Sequence, residues 1–353
     1  MVGLPEINIE FKGKAVSAVK RSARGIVALI LHDDTGSFET KVYTESTQVE
    51  GTDWTEENID LIKVAFKANP AKVICERLDT TATDLAAGLT RLGSKRFNYL
   101  AIPSITTEQV PDVETWIKSK RESDKRSYKA VLPHADSDHE GIINFATSDI
   151  VVGEKTYTTE AYCVRIAGIL AALPFTRSAT YYELSEVDSI IESTDPNGDI
   201  DAGKLILIND GEKIKIGRGV NSLTTTTLNK TEDFKKIRVV EVMDLMSDDI
   251  RSTYDNYYVG KVNNIYDNQV LFFTSINAYF EGLEADEILD PNFDNRSGVN
   301  IEAQRLAWES IGIDTSEWSE QQVKENTFKS KVFAKANVKI VDAMEDLDFQ
   351  IAM

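Results

Sequence analysis

Two histidines and two aspartates lie within six residues, in the run His134-Ala135-Asp136-Ser137-Asp138-His139. Imidazole nitrogens and carboxylate oxygens are ligands that zinc and manganese take in proteins. The run follows a predicted strand, and α/β proteins often place their sites at such a position. The only other histidine is His32, and no second ligand motif accompanies the run. A polar loop after a strand is the favoured interpretation, and a metal-dependent hydrolase that uses this loop is kept as an alternative.

Two further motifs lack residues that their chemistry needs. Residues 195–201 begin like a calcium-binding loop, but Ile200 and Ile206 stand at the positions of its glycine and closing glutamate. Gly217-Arg218-Gly219 lacks the third glycine and the Lys-Ser/Thr ending of a phosphate-binding loop. No G-x-S-x-G or H-E-x-x-H motif is present. The sequence therefore predicts no catalytic residue, metal ligand or cofactor, and we expect a protein that is not an enzyme.

Strand and helix patterns alternate over the first half of the chain. The apolar run at residues 23–31 is typical of a strand buried on both faces. Further strands are predicted at 72–76, 97–102 and 128–132, with helices opening at residue 55 and at 83–92, 113–121 and 158–173. This alternation predicts a parallel sheet of βαβ units. A hairpin is predicted where 205–208 and 213–216 flank an Asn-Asp-Gly-Glu turn, and 195–199 is predicted to be a surface turn.

The pattern becomes helical after the polar stretch at residues 224–231. Helices are expected from about 243 to 282, with Leu271, Ile276 and Phe280 as buried candidates, and at 301–311. We place a domain boundary near residue 230. The predicted layout is an N-terminal arm at 1–22, an α/β body at 23–230, an α+β C-terminal domain at 231–335 and a C-terminal arm strand at 336–353.

Both ends of the chain show strict alternation of apolar and polar side chains, which is typical of a half-buried strand. The apolar residues are Ile7, Ile9 and Phe11 at one end, and Leu347, Phe349 and Ile351 at the other. A short terminal strand exposes unpaired backbone groups, so it must dock on its own body or complete a sheet in another molecule. Two such ends indicate a subunit that links to its neighbours.

The chain is acidic, with a net charge of −19 over 353 residues, which is the opposite of a nucleic-acid binder. Four lysines near the C-terminus, Lys324, Lys329, Lys331 and Lys335, stand out against this charge. They could bind an acidic partner by charge, or they could only keep an edge strand soluble. Cys75 and Cys163 are predicted to be reduced core residues. No apolar run approaches the length of a membrane span, and no secretory signal is expected.

Five segments, at residues 3–11, 24–29, 216–225, 238–241 and 342–347, together resemble the contractile phage tail sheath proteins of prophages and R-type bacteriocins. Residues 3–11 and 24–29 are similar to the start of such proteins. Residues 216–225, Ile-Gly-Arg-Gly-Val-Asn-Ser-Leu-Thr-Thr, resemble the central signature of the family. Residues 238–241 and 342–347 resemble its C-terminal domain and closing segment. The extra outer domains and the N-terminal β-sandwich of longer members are not recognised here.

The resemblance implies a fold and a function. Subunits would stack as six-fold rings around a tail tube, with the C-terminal domain facing inward and both arms adding strands to sheets of neighbouring subunits. On that layout the lysine cluster, noted above for its charge, is predicted to face the tube. Contraction would drive the tube through a target envelope. The implied partners are further copies of the chain, the tube protein, and baseplate and tail-terminator proteins, with no nucleic acid and no direct membrane insertion. The protein would be made in the bacterial cytoplasm and built into a phage tail or a bacteriocin particle. A self-assembling shell protein is the other alternative.

Overall fold

The structure is a computed structural model that describes residues 25–353, and these residues divide into two compact units. The body comprises residues 25–244 together with 342–353, and the C-terminal unit comprises residues 245–341. The predicted N-terminal arm, with Ile7, Ile9 and Phe11, lies outside the described residues.

The body has a mixed α/β architecture around a seven-stranded sheet. Its elements in chain order are β1 (Ile26–His32), β2 (Thr40–Tyr43), α1 (Glu56–Phe66), β3 (Lys72–Leu78), α2 (Ala86–Leu92), β4 (Tyr99–Ala101), α3 (Val110–Glu122), β5 (Lys129–Pro133), β6 (Ile142–Phe145), β7 (Ser148–Val152), β8 (Lys155–Tyr157), α4 (Thr159–Ala172), β9 (Ser189–Ile191), α5 (Pro196–Asp201), β10 (Lys204–Leu205), β11 (Leu207–Asn209) and β12 (Ile214–Ile216). The main sheet has the order β10-β6-β5-β4-β1-β3-β2, and β2 alone pairs antiparallel. Smaller antiparallel sheets are formed by β8-β7-β9 and by the predicted hairpin β11-β12. The predicted α/β body with a parallel sheet is confirmed.

The central strand β1 contributes side chains to two hydrophobic cores. Val27 and Leu29 join the core that contains the buried faces of α1 and α4. Ala28 and Ile30 join the core that contains α2 and α3. Successive side chains of a strand point to opposite faces of the sheet, so a strand covered on both faces needs apolar residues throughout. The apolar run at residues 23–31 therefore forms most of a strand buried on both faces, β1, as predicted.

A buried ion cluster holds the start of a long helix, α6 (Ile237–Tyr257), within the body. Lys129 Nζ lies 2.7 Å from Asp244 Oδ2 and 2.9 Å from Glu241 Oε1. The guanidinium of Arg121 binds both Asp244 oxygens at 3.0 Å. Burial alone would raise the pKa of Asp244, but Lys129 and Arg121 outweigh it and hold the pKa well below its usual range. The boundary between the two units thus lies inside α6, after Asp244. The sequence predicts a boundary near residue 230.

The C-terminal unit is mostly helical. It contains the rest of α6, then α7 (Tyr266–Ala285), β13 (Arg296–Val299), α8 (Ile301–Glu309), α9 (Glu320–Glu325) and β14 (Ala334–Asn337). The buried face of α7 includes Ile276 and Phe280, as predicted, and Asp249 on α6 accepts a hydrogen bond from the Tyr279 hydroxyl at 2.8 Å. The prediction that Leu271 is buried is wrong. It lies beside Val270 on the exposed face, because the apolar stripe of α7 runs through Phe272.

One predicted turn in the body is a short helix. The sequence predicts a surface turn at residues 195–199, but α5 begins at Pro196. The Asp195 carboxylate accepts a hydrogen bond from the Gly198 amide at 3.1 Å, and proline at the first helical position has a backbone angle suited to a helix. The aspartate that begins the calcium-like pattern therefore caps a helix.

Helices α1 and α4 approach so closely at Gly168 that no side chain fits there. A Cβ atom on Gly168 would lie 2.3 Å from the backbone oxygen of Ala65. We expect Gly168→Ala to lower the free energy of unfolding by about 1–3 kcal/mol, because the helices must move apart. Chemical denaturation of the unassembled subunit measures this. Gly282→Ala on α7 is the matched control, since a Cβ atom at that position would have no atom within 4 Å, and an equal loss in both variants would contradict the close approach.

Candidate assembly surfaces

The C-terminal unit carries a small antiparallel sheet with an open edge. Strand β13 pairs with β14, with Arg296 opposite Asn337. The other side of β13 is covered by α7, where Asn277 Oδ1 accepts a hydrogen bond from the Ser297 amide at 2.8 Å. All four residues of β14 are exposed, and among the described residues this strand pairs only with β13. An exposed strand edge of this kind can accept a further strand.

The last seven residues expose the apolar side chains that the sequence predicts to lie on one strand face. The exposed fractions are 87% for Leu347, 73% for Phe349 and 75% for Ile351. Residues 341–353 contain no helix or strand in the single chain, and of the predicted arm at 336–353 only residues 336–337 lie in a strand, β14. Burying one such side chain contributes about 1.5–3 kcal/mol of favourable free energy, so contact with a partner would stabilise this segment.

The four lysines singled out in the sequence all belong to the C-terminal unit. Lys324 is half-buried on α9, whereas Lys329, Lys331 and Lys335 are exposed. The ammonium of Lys331 lies 4.8 Å from the centre of the Phe333 ring. In the described part of the chain none of the four is in a salt bridge, so their charges are available to a partner.

The loop at residues 134–139 lies between strands β5 and β6 and is hydrogen-bonded to the segment that resembles the sheath signature. Asp138 Oδ1 accepts hydrogen bonds from the backbone amides of Thr224 and Thr225 at 2.7 and 2.8 Å. These amide hydrogen bonds hold the pKa of Asp138 well below its usual range. The Asp136 carboxylate accepts a hydrogen bond from the side-chain amide of Asn144 at 2.7 Å. Both carboxylates thus tie the loop to neighbouring parts of the body by hydrogen bonds.

The two histidines of this loop lie in different environments. His134 is exposed, while His139 is only 4% exposed, and its Nδ1 accepts from the Gly141 amide at 2.9 Å. Burial lowers the pKa of His139 to about 4. No group of three or more His, Cys, Asp or Glu side chains that could hold a metal occurs within residues 25–353. Cys75 and Cys163 are free and buried, as predicted.

Comparison with known proteins identifies the family of the chain. Residues 79–222 match the phage tail sheath protein central domain, and residues 229–353 match the phage tail sheath C-terminal domain. The tail sheath protein of Clostridium phage phiCD119 is 38% identical over the whole of both chains. The chain belongs to the phage tail sheath protein family. The two matched domains meet between residues 222 and 229, close to the boundary near residue 230 that the sequence predicts.

Solved sheath structures share this fold. The sheath tail protein of Desulfitobacterium hafniense superimposes with a TM-score of 0.71 at 16% identity, over 84% of this chain and 93% of that chain. The helical sheath of the anti-feeding prophage in its contracted state gives 0.69 at 12% identity, over 100% and 99% of the two chains. The predicted resemblance is confirmed, and the chain is a structural subunit of a tail sheath. In its described part no helix is long and apolar enough to cross a membrane.

We expect the sheath subunit to lose stability between pH 6.5 and pH 4 because His139 is buried. An unfolded histidine has a pKa near 6.5, so over this range the folded chain binds fewer protons and stability falls as pH falls. The loss attributable to His139 is on the order of 3 kcal/mol. Denaturation at stepped pH should show a smaller loss for His139→Gln. The exposed His134→Gln is the control, and identical profiles for His139→Gln and the unchanged chain would refute this role.

Proposed function

We propose that the chain polymerises around a tail tube as stacked six-fold rings and contracts to drive the tube through a cell envelope. The observation that supports polymerisation is that one chain contains both an exposed strand edge, which can accept a strand, and an exposed segment that can donate one. The open edge of β14 offers unpaired backbone groups, and residues 347–353 offer an unpaired apolar face. Donation of that segment to β14 of another copy would satisfy both.

The N-terminal arm is proposed to act in the same way. Its apolar face, Ile7, Ile9 and Phe11, would join the same composite sheet. Each neighbour would then be tied by two short strands, which keep subunits connected while the bodies move as nearly rigid units between an extended and a contracted lattice. The contracted lattice would have the more favourable contacts, and the difference in interface free energy would drive the tube.

A single donated strand is too weak to hold two subunits together. Three buried apolar side chains contribute about 1.5–3 kcal/mol each. The net gain from each ladder hydrogen bond is about 1 kcal/mol. Association itself costs about 4–15 kcal/mol. The balance is close to zero for one link, so strand donation supports a polymer in which every subunit has several neighbours, and it disfavours an isolated dimer.

The exposed lysines of the C-terminal unit support a tube-facing role. Exposed ion pairs contribute only about 0–1 kcal/mol each and weaken with salt. A grip made of such pairs would position the tube and still let the sheath release it on contraction. The other proposed partners are baseplate and tail-terminator proteins, since sheath-like chains of the anti-feeding prophage occur in its baseplate structures. The net charge of −19 argues against a nucleic-acid partner.

Removing the donor segment tests strand donation. A chain that ends at Asp346 should fold normally, because none of the removed residues belongs to a hydrophobic core. It should fail to form polymers, since each copy loses one donated strand and three apolar side chains. Sedimentation and negative-stain microscopy measure this. A chain that lacks only residues 352 and 353 is the matched control, and normal polymers from the shorter chain would refute the proposal.

Charge reversal tests the tube-facing lysines. We expect Lys329→Glu with Lys331→Glu to impair assembly on tail tubes at least about fivefold more than self-assembly without tubes, because only the first needs the charges. Co-sedimentation with tubes at low and high salt measures both. The same change at two exposed body lysines, Lys63→Glu with Lys67→Glu, is the control. Equal effects on the two kinds of assembly would remove the support for a tube contact.

A further inference from the structure

The first residues of the C-terminal segment, 342–346, are bound by side chains of the body of the same chain. Glu345 Oε1 accepts hydrogen bonds from Ser178 Oγ and Thr180 Oγ1, both at 2.7 Å. Its other oxygen lies 3.3 Å from Arg218 Nε. Only 10% of the Glu345 side chain is exposed. A carboxylate with three donors and little solvent is held much more firmly than one in an exposed ion pair.

Two further ion pairs extend the same contact along the chain. Arg218 binds Asp346 through Nη2, and Lys236 binds Asp342. The hydrogen bond to Asp346 raises the pKa of Arg218, so this group stays charged under all ordinary conditions. Three acidic residues of the segment 342–346 are therefore paired with body groups.

The body loops that form this contact are themselves fixed by hydrogen bonds. Thr180 Oγ1 accepts from the Gly219 amide at 3.0 Å, and Ser178 Oγ accepts from the Thr180 amide at 3.1 Å. The Gly219 carbonyl in turn accepts from the Ile237 amide at 3.0 Å. The donors are thus positioned by the body, and binding Glu345 requires little further ordering.

The part of the C-terminal segment that is bound to the body ends at Asp346, and the exposed part begins at the next residue. Asp346 is paired with Arg218, and the next side chain, Leu347, is 87% exposed. On the other side, Val341 donates its amide to the Ile288 carbonyl at 3.0 Å within the C-terminal unit. Residues 342–346 are accordingly fixed to the body, and residues 347–353 are the part that remains available.

We propose that Arg218, Ser178, Thr180 and Lys236 form an anchor that sets where the donor strand leaves the body and how far it reaches. This rests on the proposed strand donation. Seven free residues span at most about 23 Å. Release of the anchor would free twelve residues, from 342 onward, with a span of about 40 Å. Effective concentration falls roughly as the −3/2 power of tether length, which alone gives about a twofold loss. The anchor also transmits force from the strand to the rigid body instead of through a slack tether.

A spin label at position 344 measures the anchor in the unassembled subunit. Met344 is fully exposed, and Cys75 and Cys163 are buried, so Met344→Cys provides a single reactive thiol. The label should show restricted motion, and Arg218→Ala should raise its mobility toward that of a label at Ala352→Cys. Lys213→Ala, which breaks the exposed pair with Glu183 in the same body, is the matched control. Unchanged mobility in Arg218→Ala would overturn the anchor.

The critical concentration for polymer formation measures its role in assembly. We expect Arg218→Ala and Glu345→Ala each to raise it by about twofold, and the double variant to raise it by less than the product of the two single effects, because the two residues share a contact. Additive losses would overturn a shared anchor. Greater label mobility with unchanged assembly would overturn its functional role. Normal assembly of the chain that ends at Asp346 would refute strand donation and leave the anchor itself standing.

Discussion

An unpaired strand edge is the constraint on which the proposed assembly depends. The backbone groups along β14 and the apolar face of residues 347–353 are both left without partners in the single chain as described. A sheet edge and a strand of this kind promote association, and natural proteins usually cover or charge such edges. The proposed function uses both places for association, so features that would be a liability in a monomer are suited to a polymer.

The body supplies the rigidity that such a polymer needs. Its sheet is covered on both faces, and the buried cluster of Lys129, Arg121 and Asp244 fixes the start of α6. Breaking a buried ion pair by removing one partner costs about 3–5 kcal/mol, so this region does not rearrange readily. Changes in the lattice would therefore take place at surfaces and arms and would leave the body intact.

The sequence predicts the local elements well where their signal is periodic. The apolar run of β1, the opening of α1 at residue 55 and the hairpin β11-β12 each carry a local signature that the structure confirms, and the Thr55 side chain caps α1 by accepting from the Asn58 amide. The prediction for Leu271 is wrong because α7 also exposes apolar residues, so its buried face is not marked by hydrophobicity alone. The strand at residues 347–353 stays a prediction, since it would form only against a second copy of the chain.

The contacts that hold residues 342–346 on the body could not be predicted from the sequence. Arg218 and Glu345 are 127 residues apart, and neither lies in a pattern that indicates pairing. The same holds for Asp244 and Lys129, which are 115 residues apart. Such contacts are set by tertiary packing. The glycines around Arg218 suggest an incomplete phosphate-binding loop and part of the family signature, and neither indicates that Gly219 helps to position Thr180.

The central claim, that one copy completes the sheet of another, is tested most directly by a helical reconstruction from cryo-electron micrographs of polymers formed by the purified chain. We expect tubes with a fixed striation in which residues 347–353 are hydrogen-bonded along β14 of a neighbouring copy. Closed shells, or tubes in which the edge of β14 stays exposed to solvent, would contradict it.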